Sequence, residues 1–160
     1  MRSIILLSIV FSLLPGMALK AQETSSMQEL IGSGNFRFTA DRAFPSGGGS
    51  IDMISRPNKV EIRDGNAQGD LAYFGQARNI GYDADGGGIK FDGEMTNTSM
   101  KVKERKNLVN YSFSVKGTRD QFNCYLTVSP DGSGTLSVSS NLRNTISYQG
   151  RISPMEKEIP

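Results

Sequence analysis

From Asn35 to Ile152 the chain alternates apolar and polar residues with almost no interruption. Phe36 and Phe38 alternate with Asn35 and Arg37, and Val60 and Ile62 with Lys59, Glu61 and Arg63. Ile89, Phe91 and Met95 share one face while Lys90, Asp92 and Glu94 share the other. The same period runs through Ile51 and Met53 around Asp52, and through Met100 and Val102 against Lys101 and Lys103. It continues in Val109 to Val115, Phe122 to Val128, Leu136 to Val138 and Ile146 to Ile152. A period of two places every second side chain on one side of a strand, so each segment reads as antiparallel strand with one face buried and one in water.

The connectors fit that reading. Asp64-Gly65-Asn66, Pro130-Asp131-Gly132 and the polar run Glu104 to Asn107 are turn chemistry at hairpin spacing, and the glycine runs at 47–49 and 86–88 mark longer loops. Leu71 to Phe74 is a further short strand candidate. Glu23 to Ile31 reads as one short N-terminal helix, with Ser26 and Glu29 spaced as a capping box and Met27, Leu30 and Ile31 on one face. The expected fold is all-β and mainly antiparallel. About eight to ten strands form a barrel, lipocalin-like in kind, because closure removes exposed edges. A β-sandwich is the alternative.

Residues 1–21 have the layout of a secretory signal peptide: Arg2, an apolar run from Ile4 to Leu14, then small residues at Ala18 and Ala21. The sequence predicts cleavage after Ala21, a single barrel domain over 22–152 and a flexible C-terminal tail over 153–160. No Cys follows the apolar run, so a lipid anchor is not expected, and the location read from the sequence is periplasmic or secreted. The whole chain carries 18 basic and 16 acidic residues, but Arg2 and Lys20 leave with the leader and the remainder balances. Nothing in that balance points to nucleic acid.

Composition excludes much chemistry. The 160 residues include no His and one Cys. That removes Ser-His-Asp and Cys-His catalysis, imidazole-ligated metals, iron–sulfur clusters and an intramolecular disulfide. There is no Gly-x-Ser-x-Gly elbow, no Ser-x-x-Lys dyad and no phosphate loop. The expectation is a protein that is not an enzyme and needs no cofactor. Asp83 to Glu94 matches a calcium loop at Asp83, Asp85, Gly88 and Glu94 but offers Gly87 where a side-chain oxygen belongs. Asp83 and Asp85 therefore stand as a calcium alternative to a solvated turn. Asp92 and Glu94 share a strand face, where cross-strand charge pairing competes with a carboxylate-pair role. The run Lys101 to Lys106 reads as the charged tip of a hairpin.

Tyr73, Phe74 and Arg78 are the ligand-binding candidates, since Tyr and Arg beside a glycine-rich loop are common at binding surfaces. The competing reading is that Tyr73 or Phe74 plugs one end of the barrel.

Four blocks, SGNFRFTADRAFPSGGGSIDM at 33–53, LAYFGQA at 71–77, GGGIKFDG at 86–93 and GTLSVSSNLRNTISYQGRI at 134–152, resemble domain-of-unknown-function family 4251, a group of small exported bacterial proteins. The resemblance spans about Leu30 to Ile152. The chain departs from the pattern at Gly49, Ala72 and Gln76, where Arg, Pro and Arg are expected. The resemblance implies export and one domain, and brings no catalytic residue.

Two functions follow as expectations. The uniformly apolar inward register suits a binding module for an apolar small molecule or lipid-like ligand. The alternative is an envelope or secreted interaction protein that binds another protein or a glycan through outward positions such as Thr135, Ser137, Ser139, Thr145 and Ser147.

Overall fold

In the computed structural model, residues 26–53, 58–75 and 88–155 are described. The alternating segments become strands β1 (Asn35–Pro45), β2 (Ile51–Asp52), β3 (Lys59–Arg63), β4 (Asn66–Leu71), β5 (Ile89–Lys103), β6 (Leu108–Gly117), β7 (Gln121–Val128), β8 (Ser133–Ser139) and β9 (Ile146–Pro154). Every pairing is antiparallel. The order β1-β3-β4-β5-β6-β7-β8-β9 closes on itself through β1–β9, giving an eight-stranded barrel with β2 as an extra strand on β1. One short helix, α1 (residues 26–32), precedes the barrel.

The barrel closes by means of a bend in β1. Its first half pairs with β3 and its second with β2, while its whole length runs beside β9. The register shifts between Ala40 and Arg42, leaving Asp41 as a bulge residue whose carbonyl accepts the Met53 N–H at 2.9 Å. Opposite the bulge, a Cβ on Gly150 would overlap the Thr39 carbonyl oxygen, so β9 can lie this close to β1 only as glycine.

Inward positions carry the core: Phe36, Phe38, Ile62, Leu71, Ile89, Leu136, Ile146 and Tyr148 are among its most fully buried side chains. Aromatic rings meet in the interior, with Phe36 and Tyr111 edge to face at 5.6 Å and Phe91 and Phe122 tilted at 5.8 Å. An eight-stranded barrel is just wide enough for side chains to fill it. The outward positions hold Ser, Thr, Asn and paired charges, the reverse of a membrane barrel with its apolar outer band. Among the described residues no helix is long and apolar enough to cross a membrane.

Both ends are covered. At one end α1 inserts Ile31 into the core and packs Met27 and Leu30 against it. At the other, the chain leaving β4 turns across the mouth toward β9. There Tyr148 Oη donates to the Ala72 carbonyl at 2.8 Å, and the Ala72 N–H donates to Oδ1 of buried Asn58 at 2.7 Å.

Three details depart from the sequence reading. The strand expected over Leu71 to Phe74 is instead β4 (Asn66–Leu71), and residues 72–74 leave the sheet for the mouth of the barrel. Met100 and Val102 keep the inward register yet are 37% and 40% exposed. The reason is length: β4 pairs with β5 only as far as Glu94, so the rest of β5 has β6 as its sheet neighbour and the hairpin projects past the rim. Its tip is the short 3-10 turn Glu104–Lys106, the charged run expected there. At the C-terminus, β9 continues through Ser153 and Pro154, which pair with Arg37 and Phe36, two residues beyond the expected domain end.

Candidate functional site

Tyr73, one of the ligand-binding candidates, lies on the strap over the barrel mouth. It packs against the core, donates its Oη to the Asn144 carbonyl at 3.1 Å, and lies under the Arg143 guanidinium at 5.1 Å from the ring centroid. Burial raises its phenol pKa, against smaller lowering effects of the Asn144 carbonyl and Arg143. Asp120 faces Arg143 at 3.8 Å, both nearly buried. These contacts hold the Tyr73 ring in place at the mouth. Phe74 is 43% exposed beside it. Arg78 and the calcium alternative Asp83 and Asp85 lie outside the described residues, and so do the leader and its cleavage site.

The remaining chemical candidates resolve into structural roles. Cys124 is fully buried, and desolvation pushes its thiol up to about 12. Asp92 accepts from Gln68 Nε2 at 3.2 Å in an outward row that runs Arg37, Glu61, Gln68, Asp92 across four strands. Glu94 belongs to the next row, paired with Asn66. Glu61 accepts from both Lys59 and Arg37 at 2.8 Å, and those bonds, Lys59 first, hold its carboxyl below the usual range despite the burial that opposes them. The groove over this side, about 720 Å³, is lined by Lys59, Lys90 and Lys116 among Glu61, Asp70 and Asp92, three charges of each sign, with Lys59 paired to Glu61. Among the described residues no three acidic or thiol side chains converge as metal ligands.

The opposite side of the barrel is different in kind. Asn110, Ser112 and Ser114 on β6, Asn123, Tyr125 and Thr127 on β7, Thr135, Ser137 and Ser139 on β8, and Ser147 and Gln149 on β9 face outward as an uncharged patch, bounded by Lys116 on β6 and Arg151 on β9. They bond sideways to one another: Thr127 Oγ1 to Asn110 Oδ1 at 3.1 Å, Ser114 Oγ to Asn123 Oδ1 at 2.8 Å, and Ser137 Oγ with Ser147 Oγ at 2.9 Å. Tyr125 stands in the middle, 58% exposed, with only Ser112 and Ser137 beside it on the neighbouring strands.

Next to the Tyr125 row lies a second row. It runs Thr127, Thr135, Gln149, Arg42, Asp52 across β7, β8, β9, β1 and β2. This row lines one side of a groove of about 630 Å³, and Ser129, Ser133 and Arg151 line the other. Its lining includes Gly134 and Gly150, paired with each other on inward positions, where the Phe38 ring fills the space beneath Gly134. Arg42 Nε binds Asp52 Oδ1 at 2.9 Å, with both side chains about half exposed. The sequence reading found Thr135, Ser137, Ser139 and Ser147 on this face but not Tyr125, Thr127, Gln149 or Arg42. Tyr125 and Thr127 were legible from their alternation with the inward Phe122, Cys124, Leu126 and Val128, and Gln149 from its place after the inward Tyr148; Arg42 comes to this face only through the β1–β9 closure.

The molecule is thus a small closed antiparallel barrel with a side-chain core, covered ends, and a polar, partly grooved exterior. The family model described as "Domain of unknown function (DUF4251)" matches residues 18–152, and the chain belongs to that family. It is similar to a DUF4251 family protein from Bacteroides eggerthii DSM 20697 whose crystal structure is solved at 1.95 Å resolution. The TM-score is 0.65 with 21% identity over 86% of this chain and 91% of that one, a likeness of fold. No curated protein matches the chain.

Proposed function

We propose that this protein is an exported, non-catalytic recognition module that binds a protein or glycan of the cell envelope or its surroundings through the outside of its barrel. The observation that carries this reading is the contrast between inside and outside. The inward positions are occupied by packed side chains, with α1 at one end and the Tyr73 strap at the other. That arrangement favours outward recognition over an enclosed apolar ligand. A patch of hydroxyls and amides with one prominent tyrosine, bordered by the Arg42–Asp52 pair, suits recognition, because desolvating hydroxyls and amides costs less than desolvating ions. A leader-like N-terminus supports export.

Site-specific photocrosslinking in the native host tests the reading. A benzophenone amino acid is placed at Tyr125 or Thr135 on the uncharged face, and at Gln68 on the charge-paired face. The reading expects discrete adducts from Tyr125 and Thr135 and none from Gln68. Equal yields from both faces, or none from either, would overturn it.

A further inference from the structure

Building on that outward reading, we infer that the groove beside Tyr125 binds a neutral saccharide, laid across β7, β8, β9 and β1. Three features of the groove select this ligand class.

The first is its charge. Asp41, Arg42, Asp52 and Arg151 lie along the groove, two of each sign, so there is no net field to attract an anionic or cationic polymer.

The second is its hydrogen-bonding character. A sugar hydroxyl donates and accepts at once, so vicinal hydroxyls call for a donor and an acceptor held side by side. The Arg42–Asp52 pair offers guanidinium N–H groups next to a carboxylate, Gln149 offers both functions on one amide, and Thr135 adds a hydroxyl in the same row. As an exposed ion pair, Arg42–Asp52 adds little stability, yet each partner holds the other's orientation. Successive members of the row are one strand spacing apart, about 4.8 Å, so a chain of sugar rings crossing the strands would meet a new polar side chain at each step.

The third is a stacking surface. The ring faces of a pyranose present C–H groups, which pack on an aromatic face. Tyr125 supplies an exposed ring one row from the groove, with serines on both neighbouring strands. The groove on the other side of the barrel is about 720 Å³, but half of its lining residues are Lys or carboxylate side chains, with Lys59 bound to Glu61 at 2.8 Å and Asp92 held by Gln68 at 3.2 Å.

The test is isothermal titration of the purified protein with a panel of neutral oligosaccharides (gluco-, manno-, galacto- and xylo-oligomers) and, for comparison, oligogalacturonate. Saturable binding to at least one neutral oligomer is expected, with no preference for the acidic one. Tyr125→Ala and Gln149→Ala should each weaken it roughly tenfold, the scale of a central contact in a small site. Gln68→Ala should leave it unchanged, and far-UV circular dichroism checks that all three variants fold. Absence of saturable binding, preference for the acidic oligomer, or an equal loss in Gln68→Ala would overturn the saccharide assignment. If the titrations fail while crosslinks at Tyr125 persist, the ligand class is wrong and outward recognition stands; if both fail, both are wrong.

Discussion

Gly69 and Phe91 face each other across β4 and β5, both pointing inward, and the Phe91 ring lies directly over the glycine. A Cβ on Gly69 would overlap that ring, which cannot simply swing aside because it is buried against Phe122 at 5.8 Å. Gly69→Ala therefore sets two effects against each other. Overpacking a filled core costs about 1–3 kcal/mol. Restricting the unfolded chain returns about 0.4–1 kcal/mol where the backbone permits alanine, and Gly69 is not among the glycines with positive φ. The net expectation is a loss of about 1–2 kcal/mol, or a melting temperature lower by about 3–7 °C for a domain of this size.

Phe91→Leu removes the obstacle at its own cost. In that background Gly69→Ala should be neutral or stabilising, so the double-mutant cycle should show a favourable coupling of about 1–3 kcal/mol. Urea unfolding followed by far-UV circular dichroism reads all four proteins; the chain has no Trp to report by fluorescence. Additive effects within about 0.5 kcal/mol would refute the packing argument, because independent sites add to that precision. So would a stabilised Gly69→Ala in the wild-type background.

Other consequences can be checked singly. Cys124 should react with a maleimide at pH 8 about a thousandfold or more slowly in the native protein than in urea, with labelling limited by opening of the barrel; fast native labelling would contradict its burial and raised pKa. Glu61 has a lowered folded pKa, so its contribution is present above the ordinary carboxylate value of 4.5 and is lost as pH falls through the folded value. Glu61→Gln should cost about 1 kcal/mol at pH 7 and flatten the loss of stability between neutral pH and the acid end, as measured by melting temperature against pH. Tyr148→Phe removes the hydroxyl that holds the Ala72 carbonyl; it should cost about 1–2 kcal/mol and speed amide exchange at Ala72 and Tyr73 while the β7 amides stay protected.

Most of the barrel is written in the sequence as alternation, and the places where it is not have specific causes. In β4 the inward residues are Ala67, Gly69 and Leu71, two of them too small to mark a buried face. Their space is filled in part by Phe91 from the next strand, so the pattern surfaced only at Leu71, where the expected strand begins and the observed β4 ends. The bulge at Asp41 changes the parity of β1 midway, something no local periodicity announces. Asn58 stands outside the alternating segments. It is buried because its side chain accepts the Ala72 N–H and its carbonyl accepts the Ala40 N–H, joining three segments far apart in sequence. For the candidate site, the hydroxyl-rich side of β8 and β9, Gln149 included, follows from the alternation, since outward positions follow from inward ones. Arg42 joined it only by register across the β1–β9 seam, and brought Asp52 with it through β2.

A barrel filled by its own side chains holds no ligand inside, which is the condition that outward recognition rests on. Native mass spectrometry of the protein purified from its host without detergent tests this most directly. The account predicts a bare polypeptide mass under conditions that preserve the fold. A reproducible additional mass of an apolar molecule, released only on unfolding, would contradict it and restore the barrel as a carrier.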